Sequence, residues 1–197
     1  MRTLKLLLAF FIVLGTTPMA LAHDDRDDGN TVRARLSGYN EVHFVTTVAG
    51  GVVTAAALRG AVSTGATGMF RATIHDATQT IDYTVTFEGL EADVTQSHIH
   101  FGQPRTVGGI VVWLCQTAGT PAPAAVAATT PFCGGPRANT VTGTITAAKV
   151  LTVTGQGIEA GEFVELVRAI RAGATYANVH STTFPPGEIR GPIDGDD

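Results

Sequence analysis

The stretch SHIHFGQP, residues 97–104, sets His98 and His100 one residue apart, and YANVHS at 176–181 places His180 in a similar frame. Side chains alternate across a β-strand, so His98 and His100 share one face while Ile99 takes the other. By the same rule Tyr176, Asn178 and His180 oppose Val179, and Glu188 and Arg190 flank Ile189 in GEIRGP. If these three strands are neighbours, the polar members form one external patch.

Three chemistries fit that patch. Imidazoles at i and i+2 stand about 6.5 Å apart at Cα. Metal–nitrogen bonds are about 2.0 Å, so both rings can turn onto one ion. With His180 as third ligand, a histidine-only set of His98, His100 and His180 suits copper or zinc. A second use is structural: the histidines hold loops by hydrogen bonds, with Glu188 and Arg190 as an exposed ion pair of well under about 1 kcal/mol. The third is recognition of an extracellular protein or a glycan. The residues leave all three open; the reading adopted is an exported binding or structural module that uses this external patch, with a copper- or zinc-binding protein as the alternative. His43 and His75 each stand alone beside a turn or strand end and read as solvated side chains.

Signatures of an enzyme are thin. Ser97 adjoins His98, but neighbours on a strand point to opposite faces and cannot pair. There is no G-x-S-x-G, H-E-x-x-H or phosphate loop. Glu41, Glu88 and Glu188 are scattered along the chain, so no catalytic residue is assigned.

The elements that must position these residues read as β-structure. Short runs rich in Val, Thr and Ile recur between Gly, Asn and Asp: TVRARLSG, GMFRATIHD, QTIDYTVTFEG, SHIHFG, GGIVVWLCQ, NTVTGTITA, TYANVHS and GEIRGPID. This spacing predicts an all-β domain, an antiparallel β-sandwich or Greek-key barrel. In TIDYTVTF, Ile81, Tyr83, Val85 and Phe87 alternate with polar residues, as in a half-buried strand. GIVVWLC is apolar on both faces and is expected to be central. One short amphipathic helix is predicted near 161–171, with Phe163, Leu166, Val167 and Ile170 on one face, acids toward its start, Arg168 and Arg171 toward its end, and Gly173 as its stop.

Cys115 and Cys133 are the only cysteines. In an exported chain an even pair predicts a disulfide, here closing an irregular Ala-, Pro- and Thr-rich loop inside an insertion at 116–139. Closure of a loop this size contributes about 3 kcal/mol in the chain-entropy account.

Residues 1–22 carry Arg2 and Lys5, an apolar run and Ala20-Leu21-Ala22, the pattern of a secretory signal cleaved after Ala22. The apolar run is too short to span a bilayer and Pro18 breaks the segment beyond it, so no membrane span is expected in the mature chain. The expected location is secreted or periplasmic. Removing Arg2 and Lys5 from 13 basic residues leaves 11 against 17 acids, a formal charge of −6. That balance excludes nucleic acid and anionic membrane surfaces as partners. Residues 23–31 read as an acidic disordered tail, four of whose residues are Asp. His23, the expected new amino terminus, has the groups to chelate copper, but a solvated tail outweighs that reading.

LSGYNEV, SHIHFGQPRTVGGIVVWLC and IRAGATYANVHSTTFPPGEIRGPI, in that order over about residues 32 to 194, resemble the CHRD (chordin) domain family. The family's histidine motif matches His98 and His100, and its glycine-flanked valine strand matches Gly109 to Leu114. Its Tyr-x-Asn-x-His motif matches Tyr176, Asn178 and His180, followed by Gly187 to Gly191; Glu41 matches an early glutamate. The resemblance implies a secreted β-sandwich or immunoglobulin-like barrel spanning residues 32–197, of the stand-alone bacterial type. In chordins such domains sit in antagonists of bone morphogenetic proteins. That role does not carry over to one domain without the cysteine-rich modules. A weaker analogy, with copper/zinc superoxide dismutases, rests on fold and one His-x-His, and the histidines needed for a second metal are missing.

Overall fold

The computed structural model describes residues 30–49 and 52–195, with the side chains of residues 43–59 outside the description. The expected signal, nearly all of the acidic tail and the side chain of His43 therefore lie outside the described residues. In chain order the elements are β1 (Thr31–Ser37), β2 (Val42–Ala49), β3 (Val52–Gly60), β4 (Thr67–His75), β5 (Thr80–Glu88), β6 (Val94–Phe101), β7 (Gly109–Cys115), α1 (Ala124–Ala127), β8 (Asn139–Ile145), α2 (Phe163–Arg171), β9 (Thr175–Ser181), β10 (Ile189–Pro192) and β11 (Asp194–Gly195). No helix among the described residues is long and apolar enough to cross a membrane.

Among the described residues every pairing between named strands is antiparallel, and the main sheet runs β7-β6-β9-β10-β1-β4-β5-β8 with β11 beside β1. The sheet coils until its two ends nearly meet, giving an almost closed barrel. The core faces inward because apolar residues alternate: Ile81, Tyr83, Val85 and Phe87 of β5 are buried, while Asp82 between them is exposed. β2 and β3 pair in a separate two-stranded sheet.

GIVVWLC forms β7 at the end of the sheet, not at its centre. Its two-sided apolar character has another cause. Polar groups from other parts of the chain reach this edge: the Leu151 amide donates to the Val111 carbonyl at 2.9 Å, and the Tyr83 hydroxyl of β5 to the Leu114 carbonyl at 2.7 Å. The second of these joins β7 to β5, the neighbour of the opposite end strand β8.

The helix forms where its pattern predicts. Phe163, Leu166, Val167 and Ile170 are buried in the barrel core, and Gly173 follows with a φ of +63°, where its amide donates to the Ile170 carbonyl at 3.0 Å. Arg171 anchors the helix to Asp76, at the β4–β5 turn, at 2.7 Å. Cys115 and Cys133 form the expected disulfide.

Candidate metal centre

β6, β9 and β10 are adjacent, so the three motif segments lie side by side. His98 is opposite Asn178, His100 opposite Tyr176, and Asn178 opposite Arg190. His180 pairs with Gln96 and so lies diagonally from His98. The alternation holds: Ile99, Ala177, Val179 and Ile189 join the core while the polar members share the opposite face. The triad gathers there, with one nitrogen of each of His98, His100 and His180 within 4.8 Å of the others. His98 Nδ1 and His180 Nε2 are 3.2 Å apart.

The patch is not external. His98 is 0%, His180 5% and His100 8% exposed, and Asn178, Tyr176, Glu188, Arg190 and Glu41 are buried as well. Alternation assigns a face of the sheet; it does not decide whether that face meets water. Trp113 of β7, opposite His98, packs edge-on against its ring at 4.3 Å. The loops that follow β6 and β9 supply further cover and contacts: His100 Nδ1 lies 2.9 Å from the Gly108 carbonyl, and His180 Nδ1 lies 2.8 Å from the Pro185 carbonyl.

Those carbonyls set the tautomers. A carbonyl only accepts, so Nδ1 carries the proton in both His100 and His180, which leaves Nε2 with its lone pair. His98 must then donate from Nδ1 to His180 Nε2, and its own Nε2 has no partner. His100 Nε2 and Asn178 Oδ1 are also buried without partners. Each such atom costs about 1–3 kcal/mol. Burial is the main cause that holds His98 well below the ordinary histidine range, with His180 and His100 adding to it. Burial likewise brings His100 and His180 down to about 4, against the opposing pull of their carbonyl partners. At neutral pH all three are uncharged, the form that binds a metal.

Glu188 does not join this group, and no exposed Glu188–Arg190 pair forms. The Glu188 Oε1 accepts from the Thr64 hydroxyl at 2.8 Å and from the Glu91 amide at 2.8 Å. Tyr176 stacks on His100 with ring centroids 4.7 Å apart, and Arg190 lies over the Tyr176 ring at 3.3 Å from its centroid. The Tyr176 hydroxyl accepts from the Gly108 amide at 3.1 Å. Glu41 lies near Arg190, not near the histidines, and its Oε1 accepts from the Val42 amide at 3.0 Å. His75 is exposed, as expected of a solvated histidine, and contacts Asp82 across β4 and β5 at 3.2 Å.

Trp113 and the Gly108 and Pro185 carbonyls complete the surroundings, and sequence reasoning missed them. Trp113 sat in a quoted motif as an apolar residue. A backbone carbonyl leaves no signature beyond the Gly and Pro that shape its loop.

Bonds of about 2.0 Å place tetrahedral ligand nitrogens about 3.3 Å apart. His98 Nδ1 and His180 Nε2 have that spacing, so an ion between them would take the place of the proton on His98 Nδ1, and the wider separations would close with a rotation of the rings. A backbone carbonyl on the distal ring nitrogen is the usual support of a metal-bound histidine. The donor set therefore fits copper or zinc, with a coordination position left for a further ligand.

Among known families, the CHRD domain model matches residues 32–193. No curated protein and no solved structure matches the chain.

Proposed function

The chain belongs to the CHRD domain family, a membership that suggests a binding or structural module, and from that premise we propose that it binds one copper or zinc ion through His98, His100 and His180. One observation carries the reading. The backbone commits Nδ1 of His100 and His180, so that both Nε2 lone pairs fall within a cluster of three buried, uncharged imidazoles. A histidine-bound ion would replace the unmatched lone pairs with bonds. We infer a secreted or periplasmic location with the signal removed after Ala22; the disulfide Cys115–Cys133 supports the oxidising compartment.

A hydrogen-bonded scaffold is the second reading, favoured by the direct His98–His180 contact at 3.2 Å. Recognition of an extracellular protein or glycan by these imidazoles is disfavoured by their burial. The deciding measurement is metal analysis of protein prepared without a polyhistidine tag, after loading with zinc or copper and dialysis. We expect one ion per chain, and a loss of about tenfold or more in affinity for His98→Ala and His180→Ala while both remain folded by circular dichroism. Sub-stoichiometric metal that neither substitution changes sinks the proposal; a melting temperature that falls without any change in metal supports the scaffold.

A further inference from the structure

Arg190 is only 3% exposed, and neither Nη1 nor Nη2 has a hydrogen-bond partner among the described residues. Its nearest acid, Glu41, does not match it. Glu41 Oε1 is engaged by the Val42 amide, and Oε2 is turned against Gly187, where a Cβ would lie 2.5 Å away. Burial pushes the Glu41 carboxyl up to about 7, against the pull of the Val42 amide and of Arg190, so much of its negative charge is lost near neutrality. The contact with Tyr176 offsets part of the cost of burying the guanidinium. It leaves the fork of N–H donors unused, and a buried unpaired cation is strongly unfavourable.

Arg190 borders a cavity of about 610 Å3 walled also by Tyr39, Pro104, Arg105, Tyr176 and Pro192. Tyr39 and Arg105 are exposed side chains at this wall. The volume is that of a small-molecule site, and its aromatic and proline surfaces suit an apolar body. A planar fork with two unused nitrogens suits the two oxygens of one carboxylate. The aromatic and proline walls disfavour a strongly hydrated dianion such as phosphate.

We propose that this cavity binds a small organic monocarboxylate with an aromatic or aliphatic body, anchored by the guanidinium of Arg190. The Nη atoms are closed to bulk water in this arrangement. Binding therefore turns the guanidinium from the Tyr176 ring into the adjoining space. The site is separate from the histidine triad, though Tyr176 forms a wall between them.

Calorimetric titration of the folded chain with benzoate, benzamide, acetate and inorganic phosphate, first with EDTA and then with zinc, tests the assignment. Benzoate is expected to bind saturably with one site, with benzamide and the Arg190→Lys variant each weaker by about tenfold or more. Tyr39→Ala is a second variant that keeps Arg190, and it is expected to weaken benzoate but leave acetate unchanged. No saturable benzoate binding at millimolar concentration, equal binding of benzamide, or phosphate outcompeting benzoate overturns the proposal. So does benzoate binding that neither variant alters. Benzoate binding that persists while zinc fails to load would remove the metal reading and leave this one standing.

Discussion

The backbone at Gly187 brings its φ to +138° and its Cα against the carboxylate of Glu41. Gly187→Ala must strain that conformation and displace the acid, so we expect a loss of about 1–3 kcal/mol in urea unfolding. The buried histidines give the metal-free protein a second signature. Since their values lie below those of the unfolded chain, the unfolded state takes up protons first as pH falls. Their stabilisation is complete above about 6.5 and is lost progressively toward the folded values of about 4 for His100 and His180. A urea midpoint followed over that window should fall with pH, and less steeply in His180→Gln. Glu41 works in the opposite sense: its raised carboxyl contributes stability that is present at low pH and lost as pH rises from 4.5 through about 7. Glu41→Gln should remove that opposing slope.

At the scale of the elements, β9 explains why the site is buried. All seven residues from Thr175 to Ser181 are buried, with Ala177 and Val179 in the core and Asn178 and His180 on the covered face. The α2 helix shows the ordinary energetics of such a core. Leu166 is fully buried, and Leu166→Ala is expected to cost about 2–5 kcal/mol by thermal or chemical unfolding. Eight strands and this helix were legible because period-two and period-3.6 patterns ended at turn residues. β2 and β3 were not among the expected strands, although their β-branched runs flank Gly50 and Gly51, a hairpin signal in its own right. The end position of β7 was hidden because a covered edge carries the same apolar composition as a central strand. The shared face of His98, His100 and His180 followed from alternation once their strands were taken to be neighbours, an adjacency that alternation left as a condition. Their burial did not, because it depends on loops that share no periodicity with the strands they cover.

At the scale of the molecule, Tyr83 of β5, beside the end strand β8, places its hydroxyl on the Leu114 carbonyl of β7, the strand at the other end of the sheet. Burial pushes that hydroxyl out of its ordinary titration range, so it remains a donor at any pH the fold survives. Tyr83→Phe keeps the ring and removes this one tie, and a loss of about 1 kcal/mol is expected from denaturant titration. The loops that follow β6 and β9 have a different consequence. Gly108 and Pro185 grip the distal nitrogens of His100 and His180 from the loops that also lie over them. With none of the three histidines more than 8% exposed, we expect an ion bound by the triad to leave only when this cover opens. Its release to a chelator should therefore follow a single rate that stops rising once chelator is in excess, because the clock is the lifting of the loops and not the strength of the competitor.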